Sequence, residues 1–274
     1  MKNKVVIITG ASSGIGMACA KEFARRGAYL SLAARNIEVL DALAKELIMQ
    51  GCKVITSKTD VSNANDCLTL VRNTVKTFGK IDILVNNAGI SMRALFKDVD
   101  LEVLKKLMDV NFWGTVYCTK FAFPYLLASK GSVVGISSIA GYVGLPARTG
   151  YSASKFAITG FLETLRTENL KTGLHVLIAA PGFTATNIRK SALTANGTEQ
   201  RETPRDECKM MKSEKVALHI AKAIEKRKKK IILTFYEGKL NVFVNKWFPS
   251  LVSKIAYKKL AKETGSPLNY TITN

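Results

Sequence analysis

Six short runs, five of them mainly apolar, are separated by longer stretches of helical periodicity, and this alternation constrains the chain more than any other feature. The runs occupy 5–8, 29–33, 53–57, 81–85, 131–136 and 175–179. Near-continuous apolar strands are typical of a parallel sheet that is covered on both faces. The stretches between them, such as 16–26 and 38–50, have the spacing of crossover helices. We therefore predict an α/β fold with a doubly wound parallel β-sheet, helices on both faces, and a seventh strand at 231–235.

The charge balance indicates which partners suit the chain. Its 274 residues include 41 Lys and Arg against 21 Asp and Glu, so the formal net charge is +20. That sign favours phosphate, nucleic acid or an anionic membrane surface. A basic nucleic-acid-binding protein is the non-enzyme alternative, but no helix-turn-helix, zinc or aromatic RNA-binding motif supports it. We expect no nucleic acid as partner.

The cysteines and histidines exclude several kinds of site. The five cysteines include no C-x-x-C pair, which predicts a reducing compartment, no disulfide framework and no bound metal. With only His175 and His219, a Ser-His-Asp unit is nearly excluded. There is no run of about 18 apolar residues and no signal-peptide core, so we expect a cytoplasmic protein without a membrane-spanning helix.

A glycine-rich turn follows the first predicted strand and opens the first helix. Three glycines at this place allow a tight turn and a close approach of backbone to a pyrophosphate, which the helix N-terminus attracts. The spacing is G-x-x-x-G-x-G, and its strand-turn-helix setting indicates a Rossmann-type dinucleotide site. The turn supplies Gly10, Ser12, Ser13, Gly14, Ile15 and Gly16 as candidate cofactor-binding residues.

The ends of the next strands indicate which dinucleotide binds. An NAD site usually has an acid after the second strand, whereas this chain has Ala34 and Arg35. A guanidinium can hold a 2′-phosphate, so NADP(H) is the predicted cofactor; in the alternative, Arg35 is a solvated loop residue. Two further loops at strand ends could line the same cofactor, Asp60-Val61 and Asn87-Ala88-Gly89.

The candidate catalytic group begins a later helix. Tyr151 and Lys155 are four residues apart, which places them on one face. A cation beside a phenol lowers the phenol pKa from about 10 toward neutrality, which would make Tyr151 a general acid or base. Ser138, at the end of the fifth predicted strand, could donate to a substrate carbonyl. Taken alone, a Y-x-x-x-K pair arises often by chance.

Together these motifs resemble the classical short-chain dehydrogenase/reductase family, over roughly residues 4–235. The matching segments, in order, are TGASSGIG at 9–16, Asp60-Val61, NNAG at 86–89, Asn111, Ser137-Ser138, Tyr151-x-x-x-Lys155 and Pro181-Gly182. The resemblance implies an oxidoreductase that transfers hydride between a nicotinamide and a carbonyl carbon. Ser13 is a departure, because many NADP-dependent members have Arg or Lys there.

The resemblance also implies a role for each matching residue. Ser138 would orient the carbonyl, Tyr151 would carry the proton, and Lys155 would lower the Tyr151 pKa and bind the nicotinamide ribose. Asn111 would hold a water in a proton relay through Lys155. On the cofactor side, the adenosine would contact Asn87, and the nicotinamide carboxamide would contact Thr184 after Pro181 and Gly182.

Within the family, residues 32–36, residues 86–92 and the basic C-terminal extension resemble lipid-side members, the 3-ketosphinganine reductases and the dehydrogenase/reductase member 7B group. We therefore predict reduction of a ketone, or oxidation of a secondary alcohol, on a lipophilic substrate. A 3-oxoacyl-[acyl-carrier-protein] reductase is the alternative enzyme. A non-catalytic dinucleotide sensor would not need Ser138, Tyr151 and Lys155 together.

Two segments depart from the strand-helix pattern. Residues 189–211 are polar and predict a substrate lid or a surface insertion. Residues 239–274 follow the dinucleotide-binding and catalytic domain, 1–238, as a basic amphipathic extension with a break near Pro249. The extension predicts peripheral contact with an anionic membrane, or packing on its own domain or a partner subunit. We expect a homodimer or a homotetramer.

Overall fold

Seven parallel strands form the main sheet of the computed structural model, which describes residues 1–203, 210–263 and 265–268. Their order across the sheet is β3-β2-β1-β4-β5-β6-β9. A separate pair, β7 and β8, joins the segments on either side of the predicted lid. The strands are β1 (Val5–Thr9), β2 (Tyr29–Ala34), β3 (Val54–Lys58), β4 (Ile83–Asn86), β5 (Ser132–Ile136), β6 (His175–Ala180), β7 (Thr184–Ala185), β8 (Met211–Lys212) and β9 (Lys230–Ile232).

Helices cover both faces of this sheet, as a doubly wound fold requires. They are α1 (Gly14–Arg25), α2 (Ile37–Met49), α3 (Ala64–Phe78), α4 (Leu101–Leu107), α5 (Gly114–Ala128), α6 (Thr149–Glu168), α7 (Ser213–Glu225), α8 (Asn241–Trp247) and α9 (Pro249–Ala261). One core packs α1, α2 and α7 on the sheet, and a second packs α3, α5 and α6 on its other face. The strand order reverses between β1 and β4, so the crevice for a ligand opens at their carboxyl ends.

The predicted fold class is confirmed, with small shifts at the strand limits. The largest shift is at the seventh strand, which ends at Ile232 because a π-helical turn, Phe235–Leu240, follows it. The C-terminal extension consists of the two helices α8 and α9, and the break between them falls at Pro249. Proline fits the first turn of a helix, where its missing N–H costs no hydrogen bond.

The predicted lid is only partly a surface loop. Residues 189–203 pack against the segment after β4, where Leu193 forms a bridge with Met92, and Ala192 and Leu193 are buried. Met211 belongs to β8 rather than to a loop, because its main chain pairs with Thr184. Residues 204–209 of the predicted lid lie outside the described residues.

Candidate active site

The glycine turn after β1 has the shape that a pyrophosphate needs. Gly10 has a φ of +64°, and a Cβ there would lie 2.8 Å from the Cα of Ala88. A Cβ on Gly16 would lie 2.2 Å from the carbonyl oxygen of Gly10. Only glycine therefore allows β1, β4 and α1 to approach so closely. The turn leaves the N-terminus of α1 directed at the cleft, which suits an anionic group.

Asn87 and Thr9 hold this turn in place. The Asn87 amide donates from Nδ2 to the carbonyl oxygens of Thr9, at 2.9 Å, and Gly10, at 3.1 Å. The Thr9 hydroxyl accepts from the backbone N–H groups of Asn87 and Ala88, both at 3.0 Å. Both Nδ2 donors of Asn87 are therefore engaged with the protein backbone. Sequence reasoning expected Asn87 at the adenosine and missed Thr9, although Thr9 directly precedes the first glycine.

The cleft beyond the turn has a cation and no acid at the end of β2. Arg35 lines the cleft with an exposed side chain, and it has no ion pair or hydrogen bond with another described side chain. Ala34 precedes it as the last residue of β2. Asp60 also lines the cleft, and its Oδ1 accepts from the N–H and the hydroxyl of Ser62, at 3.0 and 2.7 Å.

Tyr151 and Lys155 project from the first turns of α6 toward the carboxyl end of β5. The Lys155 ammonium donates to the carbonyl oxygen of Ile136 at 2.9 Å and lies 5.7 Å from the centre of the Tyr151 ring. Burial lowers the pKa of Lys155 to about 8. Ser138 follows β5 and accepts from the N–H of Ala140 at 3.2 Å. The structure thus brings together three of the four predicted catalytic side chains.

The predicted lowering of the Tyr151 pKa is wrong for this arrangement. Desolvation raises the pKa of Tyr151, and it outweighs the hydrogen bond from Ser138 and the charge of Arg148, which both lower it. Lys155 contributes no lowering, since its ammonium is directed at the Ile136 carbonyl rather than at the phenol oxygen. Arg148 stands three residues before Tyr151, and sequence reasoning overlooked it.

Asn111 occupies a π-helical turn, Met108–Trp113, between α4 and α5. Its Oδ1 accepts from the N–H of Ile90 at 2.8 Å, and its Nδ2 donates to the Ile90 carbonyl at 3.0 Å and to Ser154 at 2.8 Å. A Cβ on Gly89 would lie 3.1 Å from Asn111 Oδ1 and 3.4 Å from Lys155 Nζ. The turn therefore holds Asn111 close to Lys155, the placement that the family resemblance implied, while the water relay itself stays a prediction.

The loop after β6 forms the next wall of the cleft. Pro181, Gly182 and Thr184 all line it, and the Thr184 hydroxyl donates to the carbonyl oxygen of Gly182 at 3.1 Å. Arg189 donates from Nη2 to the carbonyl oxygen of Thr184 at 3.0 Å, which holds the first residue of β7 in place. The predicted nicotinamide contacts therefore lie beside the catalytic side chains.

One cavity of about 720 Å³ joins the glycine turn, the catalytic side chains and the C-terminal helices. Its far end is lined by apolar side chains: Leu145, Leu193, Leu240, Val244, Val252, Ile255 and Leu260. Most of them come from the extension, whose Val252 is 3% exposed and packs on Ile139 and Val143. The sequence showed the apolar stripe of the extension but not that it forms a wall of this cavity.

A dinucleotide fits these residues. The space beside Gly10 and Gly16 is so narrow that a Cβ on either residue would fill it. The cavity continues from this glycine turn to Tyr151. A buried Lys155 next to a phenol at a parallel-strand edge suits carbonyl chemistry with a bound nicotinamide, which supplies or removes the hydride. The fold and the site define a nicotinamide-dependent oxidoreductase acting on alcohols and ketones.

Comparisons with known proteins identify the family. The model of the short chain dehydrogenase family matches residues 4–197, and the chain belongs to this family. Dehydrogenase/reductase SDR family member 7B of Mus musculus is 33% identical over 271 residues, which cover 97% of this chain and 84% of the relative.

Two solved structures share the fold and carry nicotinamide cofactors. An alcohol dehydrogenase from Thermococcus sibiricus, complexed with 5-hydroxy-NADP, is 25% identical with a TM-score of 0.74, over 85% of this chain and 96% of that one. A short chain dehydrogenase/reductase from Burkholderia phymatum, in complex with NAD, is 26% identical with a TM-score of 0.76, over 84% and 88%. The two bound cofactors differ in the 2′-phosphate, so the comparison supports a nicotinamide dinucleotide of either kind.

Proposed function

We propose that this protein is an NADP(H)-dependent reductase of a lipophilic ketone, or in reverse a dehydrogenase of the secondary alcohol. The observation that carries the proposal is the single cavity that connects the catalytic side chains to an apolar wall built by α8 and α9. A wall of this kind suits an alkyl chain, because each buried methylene contributes about 0.8 kcal/mol. The apolar wall also favours a free lipid over a substrate tethered to a carrier protein.

The proposed chemistry assigns one task to each catalytic side chain. Ser138 donates to the carbonyl oxygen and orients it, and Tyr151 delivers the proton to that oxygen as hydride reaches the carbon. A phenol with a raised pKa is protonated at neutral pH, so Tyr151 begins as an acid. Lys155 binds the ribose, and Asn111 supports the relay that returns a proton to Tyr151.

The cofactor proposal depends on Arg35 and Ala34. An exposed guanidinium at the end of β2 can make a bidentate contact with a 2′-phosphate, and Ala34 brings no competing carboxylate. Ser12 and Ser13 border the same place in the glycine turn. The pyrophosphate would rest on Gly14 to Gly16, at the start of α1.

The test is NADPH oxidation with a series of 2-ketones of increasing chain length, together with 3-ketosphinganine and a β-ketoacyl thioester. We expect kcat/KM to rise with chain length, because longer chains reach the wall formed by α8 and α9. Tyr151→Phe should abolish turnover and leave NADPH binding nearly intact, since only the proton donor is lost. A Tyr151→Phe variant that keeps most of its activity would overturn this mechanism.

We also propose peripheral contact with an anionic membrane through α8 and α9. One side of these helices packs on the cavity, so the extension does pack on its own domain. The other side leaves aromatic groups exposed to solvent. Trp247 is 64% exposed and Phe248 63% exposed. Exposed lysines surround them, and each contributes about 1 kcal/mol of attraction near an anionic surface. No helix among the described residues is long and apolar enough to cross a bilayer. A cytoplasmic protein that binds the membrane reversibly fits this surface.

The same reasoning leads to a division of the chain in which 1–238 is the dinucleotide-binding and catalytic domain, and 239–274 is an extension that completes its substrate cavity. Residues 189–203 contribute part of the lining of this cavity.

A second copy of the chain is the partner proposed for the outer face of α5 and α6. This face carries Trp113, Tyr117 and Phe156, with Trp113 stacked on Tyr117 at 5.7 Å between ring centres. Helix α5 is apolar on nearly all sides, which is typical of a helix buried on every face. Pairing through this face would give a homodimer, or half of a homotetramer.

A further inference from the structure

An ion pair lies inside the cavity, between two residues that the proposed mechanism does not use. Arg93 and Glu263 both line the cavity, and each side chain is 12% exposed. Arg93 Nη2 is 3.3 Å from Glu263 Oε2, and Nη1 donates to the carbonyl oxygen of Gly265 at 3.1 Å. The pair thereby joins the loop after β4 to the end of α9.

The loop that carries Arg93 starts beside the reaction centre. Gly89 lies next to Lys155, and four residues span at most about 14 Å of extended chain. Two contacts fix this loop: the N–H of Arg93 donates to the Leu193 carbonyl at 2.8 Å, and Arg148 donates to Ser91 at 2.6 Å. The Arg93 guanidinium therefore stands at a fixed position, on a loop whose Met92 belongs to the apolar cluster against which Tyr151 packs.

The Arg93 guanidinium is incompletely satisfied where it lies. Its Nε is buried and has no hydrogen-bond partner in the described part of the chain. The contact with Glu263 is long for a charge-assisted hydrogen bond, which is usually 2.7–2.9 Å. Lys106 and Lys259 line the same cavity and make no ion pair with described residues. A buried guanidinium with an unpartnered Nε and a long contact to its carboxylate would be stabilised by an anion that makes shorter hydrogen bonds with it.

We propose that Arg93 binds an anionic group of the substrate and that Glu263 holds this place until the substrate arrives. The substrate class is then an amphiphilic ketone with a carboxylate or a phosphate monoester near its carbonyl and an alkyl chain along α8 and α9. The anion replaces the Glu263 carboxylate on Arg93, and Lys106 and Lys259 add to the attraction. This proposal rests on the proposed function, which locates the reacting carbonyl at Tyr151.

Calorimetric titration of the NADPH-loaded protein tests it without relying on turnover. The probes are dodecyl phosphate, dodecanoate and dodecanol, each below its micelle-forming concentration. We expect the two anions to bind more tightly than the alcohol. Arg93→Gln should weaken anion binding by about tenfold or more and leave dodecanol unchanged. Glu263→Gln should tighten anion binding and leave dodecanol unchanged. Whether dodecyl phosphate or dodecanoate binds more tightly indicates whether the substrate carries a phosphate or a carboxylate.

Matched variants control for charge and for folding. Glu168→Gln removes an exposed acid at the end of α6, outside the cavity, and Lys120→Gln removes an exposed cation of α5; neither should alter the preference for anions. Equal binding of the three probes by the unmodified protein would overturn the proposal. So would a Glu263→Gln variant that binds all three probes more weakly, since the pair would then only fasten α9. Reduction of neutral 2-dodecanone, measured separately, reports on the proposed function itself.

Discussion

At the end of β2, the residues that would face the adenosine ribose are Ala34 and Arg35. A carboxylate at this position accepts from the ribose 2′-hydroxyl and repels a 2′-phosphate, whereas a guanidinium attracts the phosphate. The Arg35 side chain is exposed and has no acidic partner among the described residues, so its charge is available to a ligand. We therefore predict that these two adjacent side chains determine the cofactor preference.

Replacing these two residues should reverse the preference. We expect the unmodified protein to bind NADPH more tightly than NADH, and the Ala34→Asp, Arg35→Val double variant to prefer NADH. The quenching of intrinsic fluorescence by each cofactor measures both affinities. Lys58→Val, which like Arg35→Val removes one positive charge and lies nearby at the end of β3, is the control and should leave the preference in place. Equal affinities in the unmodified protein would contradict the prediction.

The buried Lys155 should make folding stability depend on pH. Its pKa is about 8 in the folded protein against 10.5 when exposed. Between these values the unfolded chain holds a proton that folded Lys155 has lost, so this group adds stability as the pH rises from about 8 to 10.5. Below pH 8 both states carry the proton, and the contribution of Lys155 is constant.

Comparison with Lys155→Met isolates this contribution. The free energy of unfolding of the unmodified protein, minus that of Lys155→Met, should grow between pH 8 and pH 10 and stay flat between pH 6 and pH 7.5. Urea unfolding at each pH measures both values. A difference that is constant across the whole range would show that Lys155 has an ordinary pKa.

At the scale of elements, the hydrophobic periodicity predicted the strands and the helices that cover them, but it did not predict what each side chain contacts. All six early strands were predicted to within two residues, because buried parallel strands are continuous apolar runs. The prediction for the Tyr151 pKa failed, because helical spacing places Lys155 on the same face without fixing where its ammonium points. Its actual partner is the carbonyl of Ile136, which lies 19 residues away in the chain.

In the extension, too, the sequence pattern predicted the helices but not what their side chains contact. Apolar spacing predicted amphipathic helices there, and the structure has them. Spacing could not show that Val252 and Leu260 face inward while Trp247 and Phe248 face solvent, since both sets are apolar. Contacts with distant residues, such as that of Arg93 with Glu263 just beyond α9, show that α9 lines the cavity.

The outer face of α5 and α6 should mediate self-association. Trp113→Glu and Phe156→Glu each place a charge within this apolar face, and both side chains are exposed, so the fold of the single chain should survive. We expect the unmodified protein to sediment as a dimer or tetramer and each variant to shift toward the monomer. Leu170→Glu changes an exposed leucine just beyond α6 and should leave the sedimentation coefficient unchanged. An unmodified protein that is monomeric would contradict the assignment of this face.

At the scale of the whole molecule, charge is unevenly spread along the chain. Residues 205–274 contain 16 Lys and Arg against 6 Asp and Glu, so they carry a net charge of +10, half of the total. The exposed aromatic side chains of the extension lie within this basic region. A surface that combines aromatic groups with many lysines suits the interface of an anionic bilayer, where both kinds of group gain free energy.

The extension should bind anionic vesicles, and replacement of Trp247 and Phe248 should abolish this binding. We expect the unmodified protein to sediment with phosphatidylserine-containing liposomes at 0.1 M salt and to dissociate as the ionic strength approaches 1 M, where the Debye length falls to about 3 Å. Trp247→Ser with Phe248→Ser should not sediment. Point substitutions are preferable to deletion of the extension, because deletion would also remove Val252 and Leu260 from the cavity wall.

Two controls separate membrane binding from other effects. Phe96→Ser removes an aromatic side chain that is 66% exposed, and Phe96 lies outside the extension, so sedimentation with liposomes should be unchanged. Neutral phosphatidylcholine liposomes should retain much less protein, since only the apolar contribution remains. If the unmodified protein ignores anionic liposomes while Trp247→Ser with Phe248→Ser changes the oligomeric state, the exposed aromatic groups are a contact between subunits. The reductase mechanism would be unaffected by that result, because Tyr151, Ser138 and Lys155 lie on the other side of the cavity wall from these groups.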